Sequence, residues 1–292
     1  LAATNYAALR DVCKATVHVG DIEFELLYNP ARKVSSGANV DAAAIAERPC
    51  FLCETNRPAE QQSMDILPGY KLLVNPFPVF KRHFTIPSDT HQPQRLMAKE
   101  PDGTHRAETL FRLAQELPGM TVFYNGAKCG ASAPDHLHFQ AVGNGDFHLF
   151  TDERRRRWPF LCYSFRVFSG SELRDKLEEI CSEISRMPEN RQETEPRMNL
   201  FITAADGRYG YPDADAPGAD VFVVPRRAHR PDFYGTSDDR MTLSPGALDV
   251  GRALITVRDD DFKALTDSAK GPGIIADLFR QITYPASEVS VK

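Results

Sequence analysis

The 292-residue chain is poor in features that mark several protein classes: it has one tryptophan, six cysteines and no long apolar run. No stretch approaches the roughly 20 apolar residues of a membrane-spanning helix. The opening Leu1-Ala2-Ala3-Thr4-Asn5-Tyr6 lacks the basic-then-apolar pattern of a secretory signal. A cytoplasmic protein with no membrane partner is therefore expected. The few, scattered cysteines do not make a disulfide framework. Positive charge is also scarce: 35 Lys and Arg against 40 Asp and Glu leave a formal charge of -5, so no global field exists to hold nucleic acid. The one basic run, Arg154 to Arg157, reads as a solvated turn before Trp158.

Hydrophobic residues make up 42% of the chain, enough for a core in one large domain or two halves of ordinary size. Residues 15–28 alternate apolar and polar groups around Gly20-Asp21, a hairpin signal. A polar connection then leads to Cys50. Lys71 to Asn75, stopped by Pro76 and Pro78, and His83 to Pro87 look like strands of one sheet. Between Thr104 and Leu117 the positions Ala107, Leu110, Phe111, Ala114 and Leu117 keep helical spacing, and Pro118-Gly119 ends the run. Thr121 to Tyr124 and His136 to Val142 are β-like, and the chain near 143–160 reads as a linker. Glu172 to Met187 forms a second helix, with Leu173, Leu177, Ile180, Cys181 and Ile184 on one face. Met198 to Thr203 and Asp220 to Pro225 are two more strands. The ending Val224-Pro225-Arg226-Arg227-Ala228-His229 echoes Ile86-Pro87-Ser88-Asp89-Thr90-His91, a hint of duplication.

Chemistry concentrates in His136-Leu137-His138-Phe139-Gln140. On a strand, His136, His138 and Gln140 share one face while Leu137, Phe139 and Ala141 share the other. A small-residue loop, Asn125-Gly126 then Cys129-Gly130-Ala131-Ser132, precedes it, and its backbone N–H groups and Ser132 hydroxyl can approach phosphate closely. A neutral imidazole attacks phosphorus competently, giving a phosphoramidate that hands the group to a second acceptor. The attacking nitrogen needs its lone pair, so the other ring nitrogen should donate to a backbone carbonyl. The Gln140 amide would donate to the phosphoryl oxygens.

Gly130-Ala131-Ser132-Ala133-Pro134-Asp135-His136-Leu137-His138-Phe139-Gln140 resembles the active-site segment of the histidine-triad superfamily. Gln140 places the likeness in the transferase branch, which includes galactose-1-phosphate uridylyltransferase, diadenosine tetraphosphate phosphorylase and the GDP-hexose phosphorylases. Residues 199–203 with 221–225, and Leu243 to Gly251, support it. The resemblance implies a duplicated histidine-triad-like α+β fold, an antiparallel sheet with packed helices. A half at 1–160 would carry the motif, and a half at 161–292 would lack it. It implies a nucleotidyltransferase or phosphorylase moving a nucleoside monophosphate from a nucleoside diphosphate sugar or dinucleotide to inorganic phosphate or a sugar phosphate. His138 would be the nucleophile, with Gln140 and Ser132 on phosphate, and Asn75, Phe77, Asn125, Gly130 and Ala131 holding the nucleotide. Pro76 stands where the uridylyltransferases commonly carry an acidic residue.

Cys50-Phe51-Leu52-Cys53 supplies two thiolates at zinc-site spacing, and a closed site needs two more ligands. His91 and His136 are the candidates, with His83 the alternative to His91, in a pattern similar to zinc-bearing uridylyltransferases. A structural zinc is expected; metal-free cysteines and a redox pair are the other readings. His18 and His148 read as surface residues, His105 as the polar side of its helix, and Arg226, Arg227 and His229 as a solvated strand end rather than a substrate clamp. Two rival functions are a nucleotide hydrolase, disfavoured because an amide cannot shuttle a proton, and a silent zinc-stapled module binding a nucleotide or a protein.

Overall fold

The computed structural model describes residues 1–37, 40–150, 158–205 and 218–286. Arg154 to Arg157 and most of the loop between the two last expected strands lie outside these residues.

Eight strands form one sheet in the order β3, β4, β5, β7, β6, β9, β10, β8. They are β3 (Ser63–Leu67), β4 (Tyr70–Val74), β5 (His83–Pro87), β6 (Met120–Asn125), β7 (His138–Gly143), β8 (Tyr163–Val167), β9 (Met198–Ala205) and β10 (Gly218–Pro225). Every neighbouring pair is antiparallel. A smaller sheet joins β1 (Cys13–Val19) and β2 (Ile22–Tyr28), the expected hairpin, to β11 (Ala253–Thr256), which runs parallel to β2. Gly20 takes φ +58 in the hairpin turn, a conformation glycine adopts without strain.

Helices α1 (Ala2–Ala8), α2 (Lys33–Ser36) and α3 (Ala42–Glu47) are short N-terminal pieces. Helices α4 (Arg106–Glu116) and α5 (Gly170–Ile184) pack together on one face of the large sheet. Leu110, Leu113, Leu173 and Leu177 there meet Leu137, Phe139 and Ala141, so the apolar side of the motif strand faces the helices. Each helix starts a residue or two from its expected position because a side chain caps it. Ser169 Oγ accepts from the Glu172 N–H at 3.1 Å, and Glu172 accepts in turn from the Phe168 N–H at 2.8 Å. His105, expected on the polar side of its helix, instead caps α4: it is buried and its Nδ1 accepts from the Ala107 N–H at 3.3 Å.

On the opposite face a second core gathers Phe123, Phe147, Phe201 and Phe222 with Phe24, Leu26 and Leu254 of the small sheet. The C-terminal helices α6 (Ala247–Val250), α7 (Asp259–Thr266) and α8 (Gly271–Ile282) close this layer. The described residues of the expected linker near 143–160 are part of it. Phe147, Leu149, Phe150 and Phe160 are all buried, because their aromatic and aliphatic side chains fill the space between the two sheets.

Two copies of one unit make six of the eight strands of the large sheet. β5-α4-β6-β7 and β8-α5-β9-β10 each run strand, helix, strand, strand, with the third strand between the other two. The copies meet antiparallel at β6 and β9, where Phe123 pairs with Phe201. The sequence echo does not mark this repeat: Pro87 ends the first strand of its unit, whereas Pro225 ends the third of the other.

Candidate active site

A cavity of about 710 Å³ opens on the face of the sheet away from α4 and α5. His138 and Gln140 of β7, Asn75 and Phe77 after β4, Asn125 at the end of β6, and Gly130, Ala131 and Ser132 of the loop after β6 all line it. The structure thus brings together all eight of the residues expected to carry chemistry or hold a nucleotide.

The His138 backbone is clamped before its ring is considered. Gln94 accepts from the His138 N–H at 2.8 Å and donates to the His138 and Asn125 carbonyls at 2.9 and 2.8 Å. The ring is 3% exposed, and its Nδ1 lies 2.8 Å from the His136 carbonyl. A carbonyl only accepts, so Nδ1 carries the proton and Nε2 keeps its lone pair. Nε2 has no partner among the described residues. Burial pushes the imidazole down to about 4.

Gln140 is oriented by an equally readable chain. The Val79 N–H donates to His83 Nδ1 at 3.1 Å, which makes His83 Nε2 the protonated nitrogen. That N–H donates to Gln140 Oε1 at 2.9 Å, and Asn75 Nδ2 donates to the same oxygen at 3.3 Å. With Oε1 taken twice, the Gln140 amide N–H groups are left for the cavity. Burial, and then Arg32, hold His83 down at about 3, so this relay stays neutral. Asn75 Oδ1 meanwhile accepts from the Phe77 N–H at 2.9 Å, shaping the strap that carries Phe77.

Gly130 takes φ +95, and a Cβ there would meet Gly246 Cα at 2.4 Å. Glycine is required on both counts. The N–H groups of Gly130, Ala131 and Ser132 make no hydrogen bond to a described residue, which leaves them for an anion. Asn125 anchors this loop: its Oδ1 accepts from Asn199 Nδ2 at 2.8 Å and from the Ala247 N–H at 2.7 Å.

His136 departs from the expected strand. β7 begins at His138, and the His136 ring lies with Cys50, Cys53 and His91 rather than on the cavity wall. The reason is local: the His136 N–H bonds the Ala133 carbonyl in a turn, so strict alternation starts two residues later. The four ligand atoms lie within 4.8 Å of one another. Cys50 Sγ and Cys53 Sγ are 3.3 and 3.6 Å from His136 Nδ1, and Cys53 Sγ is 3.3 Å from His91 Nδ1. A tetrahedral ion with ordinary Zn–S and Zn–N bonds separates S from N by about 3.5 Å, so the donor set fits a metal. His136 Nε2 donates to the Ser88 carbonyl at 2.8 Å, leaving Nδ1 for the ion. Burial and the adjacent Cys50 push the Cys53 thiol up, a cost that a dication in the cluster offsets. His83, the alternative ligand, belongs to the Gln140 relay instead.

The chain shares the fold of an Ap4A phosphorylase. Yeast Ap4A phosphorylase Apa2 matches over 97% of this chain and 96% of its own at TM-score 0.56 and 15% identity. Its complexes with AMP and with Ap4A match at TM-score 0.54 and 16% identity, over 98% and 97% of this chain and 96% and 97% of theirs. This establishes the histidine-triad-like α+β fold, with its large antiparallel sheet and packed helices. A domain of unknown function, DUF4922, matches residues 1–143. No curated protein matches.

Several residues of the site escape a reading by motif. Arg226, expected at a solvated strand end, is 0% exposed. Its guanidinium donates to Asn199 Oδ1 at 2.6 Å and to the Pro245, Ala228, His229 and Ile282 carbonyls, because four chain segments turn acceptors toward this one point. Arg227 is half-buried on Glu189, and His229 and Arg230 line the cavity. Gln94 carried no signal beyond its residue type, and His83 stood out only as an alternative metal ligand. His18 and His148 are exposed, as expected. Among the described residues, no helix is long and apolar enough to cross a membrane.

Proposed function

We propose that the protein is a nucleotidyltransferase of the phosphorylase kind, moving a nucleoside monophosphate from a dinucleoside polyphosphate or a nucleoside diphosphate sugar to inorganic phosphate or a sugar phosphate. The observation that carries this reading is the His138 tautomer: Nδ1–H is held by a carbonyl, which leaves Nε2 its lone pair, on a residue that lines a cavity large enough for a nucleotide. Nε2 attacks the α-phosphorus, the bridging P–O bond breaks, and its oxygen leaves with the bonding pair. An acceptor phosphate oxygen then attacks the same phosphorus, the P–N bond breaks, and Nε2 recovers its lone pair.

Gln140 Nε2, the Ser132 hydroxyl and the N–H groups of the Gly130 loop stabilise the charge that builds on the non-bridging oxygens. Phe77 and the mouth residues Phe51 and Val74 supply the apolar surface on which a base rests. The likeness to Ap4A phosphorylase favours a dinucleotide donor. We assign zinc to Cys50, Cys53, His91 and His136; with four protein ligands the ion is structural and supplies a cross-link rather than chemistry. Hydrolysis is disfavoured because the Gln140 amide does not titrate and so cannot shuttle a proton.

Intact-protein mass spectrometry after mixing with Ap4A or a nucleotide sugar tests the proposal. One nucleoside monophosphate should add to the wild-type chain and none to His138→Ala. Labelling that persists in the variant refutes His138 as the nucleophile.

A further inference from the structure

Gln94 clamps the His138 backbone and ties it to the end of β6, yet Gln94 itself lies outside any helix or strand. We propose that Tyr124 and Glu195 are positioning residues for His138: they act through Gln94, and Glu195 does so as a neutral carboxylic acid. The inference rests on the transferase reading and names what keeps its nucleophile in place.

One run of hydrogen bonds crosses from the second unit of the sheet to the first. Glu195, just before β9, accepts from the Met97 N–H through Oε2 at 2.6 Å, and its Oε1 lies 2.6 Å from the Tyr124 hydroxyl. Tyr124 belongs to β6, and the same hydroxyl lies 3.1 Å from the Gln94 carbonyl. The Gln94 side chain then accepts from the His138 N–H and donates to the His138 and Asn125 carbonyls. Tyr124, Gln94 and His138 are all buried, so water does not substitute for a missing partner.

The protons along this run fix the state of Glu195. Tyr124 has a single O–H and faces two acceptors, a carboxyl oxygen and the Gln94 carbonyl, and no other described group donates to that carbonyl. An ionised Glu195 takes the tyrosine proton and leaves the buried carbonyl without a donor. A protonated Glu195 donates to Tyr124, Tyr124 donates to Gln94, and every group is satisfied. Burial pushes both the Glu195 carboxyl and the Tyr124 hydroxyl up, in keeping with a proton on each. The groups that bear on the pair are Arg106 of α4, shared with Glu100 at 3.8 Å, and the thiols of Cys129 and of Cys181 in α5. In the small cavity beside Glu195, Lys128 and Arg197 pair with Glu193, and Arg95 is exposed.

Gln94 sets the Asn125 end of β6 against the His138 start of β7. The glycine loop departs from the first and the imidazole hangs from the second. Loosening Gln94 therefore shifts His138 against the loop without emptying the nucleotide site.

Single-turnover labelling, AMP binding and the nitrogen-15 spectrum of the histidine rings test this together. Tyr124→Phe removes the donor to Gln94 and little else; it should slow labelling of His138 at least about 10-fold, since small misplacements of a reacting group cost rate steeply, and change AMP affinity by less than about twofold. Glu195→Ala should do the same, and Tyr124→Phe carries the test if Glu195→Ala melts early. Glu195→Gln should stay within about threefold of the wild-type rate, because its amide donates to Tyr124 and its carbonyl accepts from Met97 as the neutral acid does. The ring signal lost in His138→Ala should report the Nδ1–H tautomer in the wild type and in Glu195→Gln, and its proton should exchange at least about 10-fold faster in Tyr124→Phe. Wild-type labelling rates in Tyr124→Phe and Glu195→Ala overturn the positioning role, as does a slowing matched by an equal loss of AMP binding. A Glu195→Gln protein as slow as Glu195→Ala overturns the neutral acid. If the wild type takes no label, the transferase reading fails, and the ring spectrum still decides the positioning role.

Discussion

Replacing Gln140 by Glu is the sharpest test of how the motif works, since the two side chains have one shape and differ in an N–H₂ for an oxygen. In the structure, Oε1 is fixed by His83 Nε2–H at 2.9 Å and by Asn75 Nδ2 at 3.3 Å. A glutamate keeps both bonds with one oxygen and so must present the other, charged, where the amide donated. Losing one donor to a developing oxyanion costs about 2.7–4 kcal/mol, or 10²–10³ in rate. A carboxylate oxygen about 4 Å from a phosphoryl oxygen adds about 4 kcal/mol of repulsion at an effective dielectric near 20. Gln140→Ala should therefore slow nucleotide labelling of His138 by roughly 10²–10³, and Gln140→Glu should be slower still by at least about 10². Single-turnover labelling followed by intact mass reads both. A Glu variant faster than the Ala variant would show that position 140 handles a proton, which refutes the donor role and revives hydrolysis.

Three further outcomes follow from the same geometry. One metal per chain should be found by elemental analysis; removing it, or Cys50→Ala, should lower the melting temperature and raise KM, because Phe51 and Leu52 between the ligands line the cavity. Gly130→Ala forces a Cβ to 2.4 Å from Gly246 Cα at φ +95, so it should cost at least about 2 kcal/mol in a denaturant titration and abolish labelling. His83 sits near 3 in the folded chain, below its unfolded value near 6.5. Its contribution to stability is therefore full above about pH 6.5 and falls with pH toward 3 by up to about 1.4 kcal/mol per unit. Denaturation at pH 7, 5.5 and 4.5 should show a steeper loss for wild type than for His83→Gln; parallel curves would contradict the buried, neutral ring.

Much of this site was legible because it is local in sequence. Period-two alternation put His138 and Gln140 on one face and Leu137 and Phe139 on the other, and the close cysteine pair announced a cluster. What stayed hidden depends on register and on which segments meet. Nothing local says that Asn199 pairs opposite Asn125, that β11 joins β2, or that four carbonyls converge on Arg226 and make a buried cation affordable. The supposed linker was misjudged for a related reason: Phe147 and Phe150 look like loop residues until the two sheets that need filling are seen.

The internal repeat also shows how, among the described residues, the second unit differs at the positions that answer His138 and Gln140. Registers carry Gln140 through its neighbour Phe123 to Phe201 and on to Phe222, so in the repeat His138, two residues before Gln140, answers to Asp220, two residues before Phe222. Where β5 sets Pro87 beside His138, β8 sets Arg166 beside Asp220, and the two form a bidentate pair at 2.9 and 3.1 Å. Phe222 is stacked on Phe150, centroids 4.7 Å apart, so the position answering Gln140 is closed by packing. The second unit lends support: its Asn199 holds Asn125 and the Cys129 carbonyl, and Arg226 holds Asn199. Placing His and Gln at 220 and 222 would set a polar side chain against Phe150 and break the Arg166 pair, and should destabilise the chain without adding labelling.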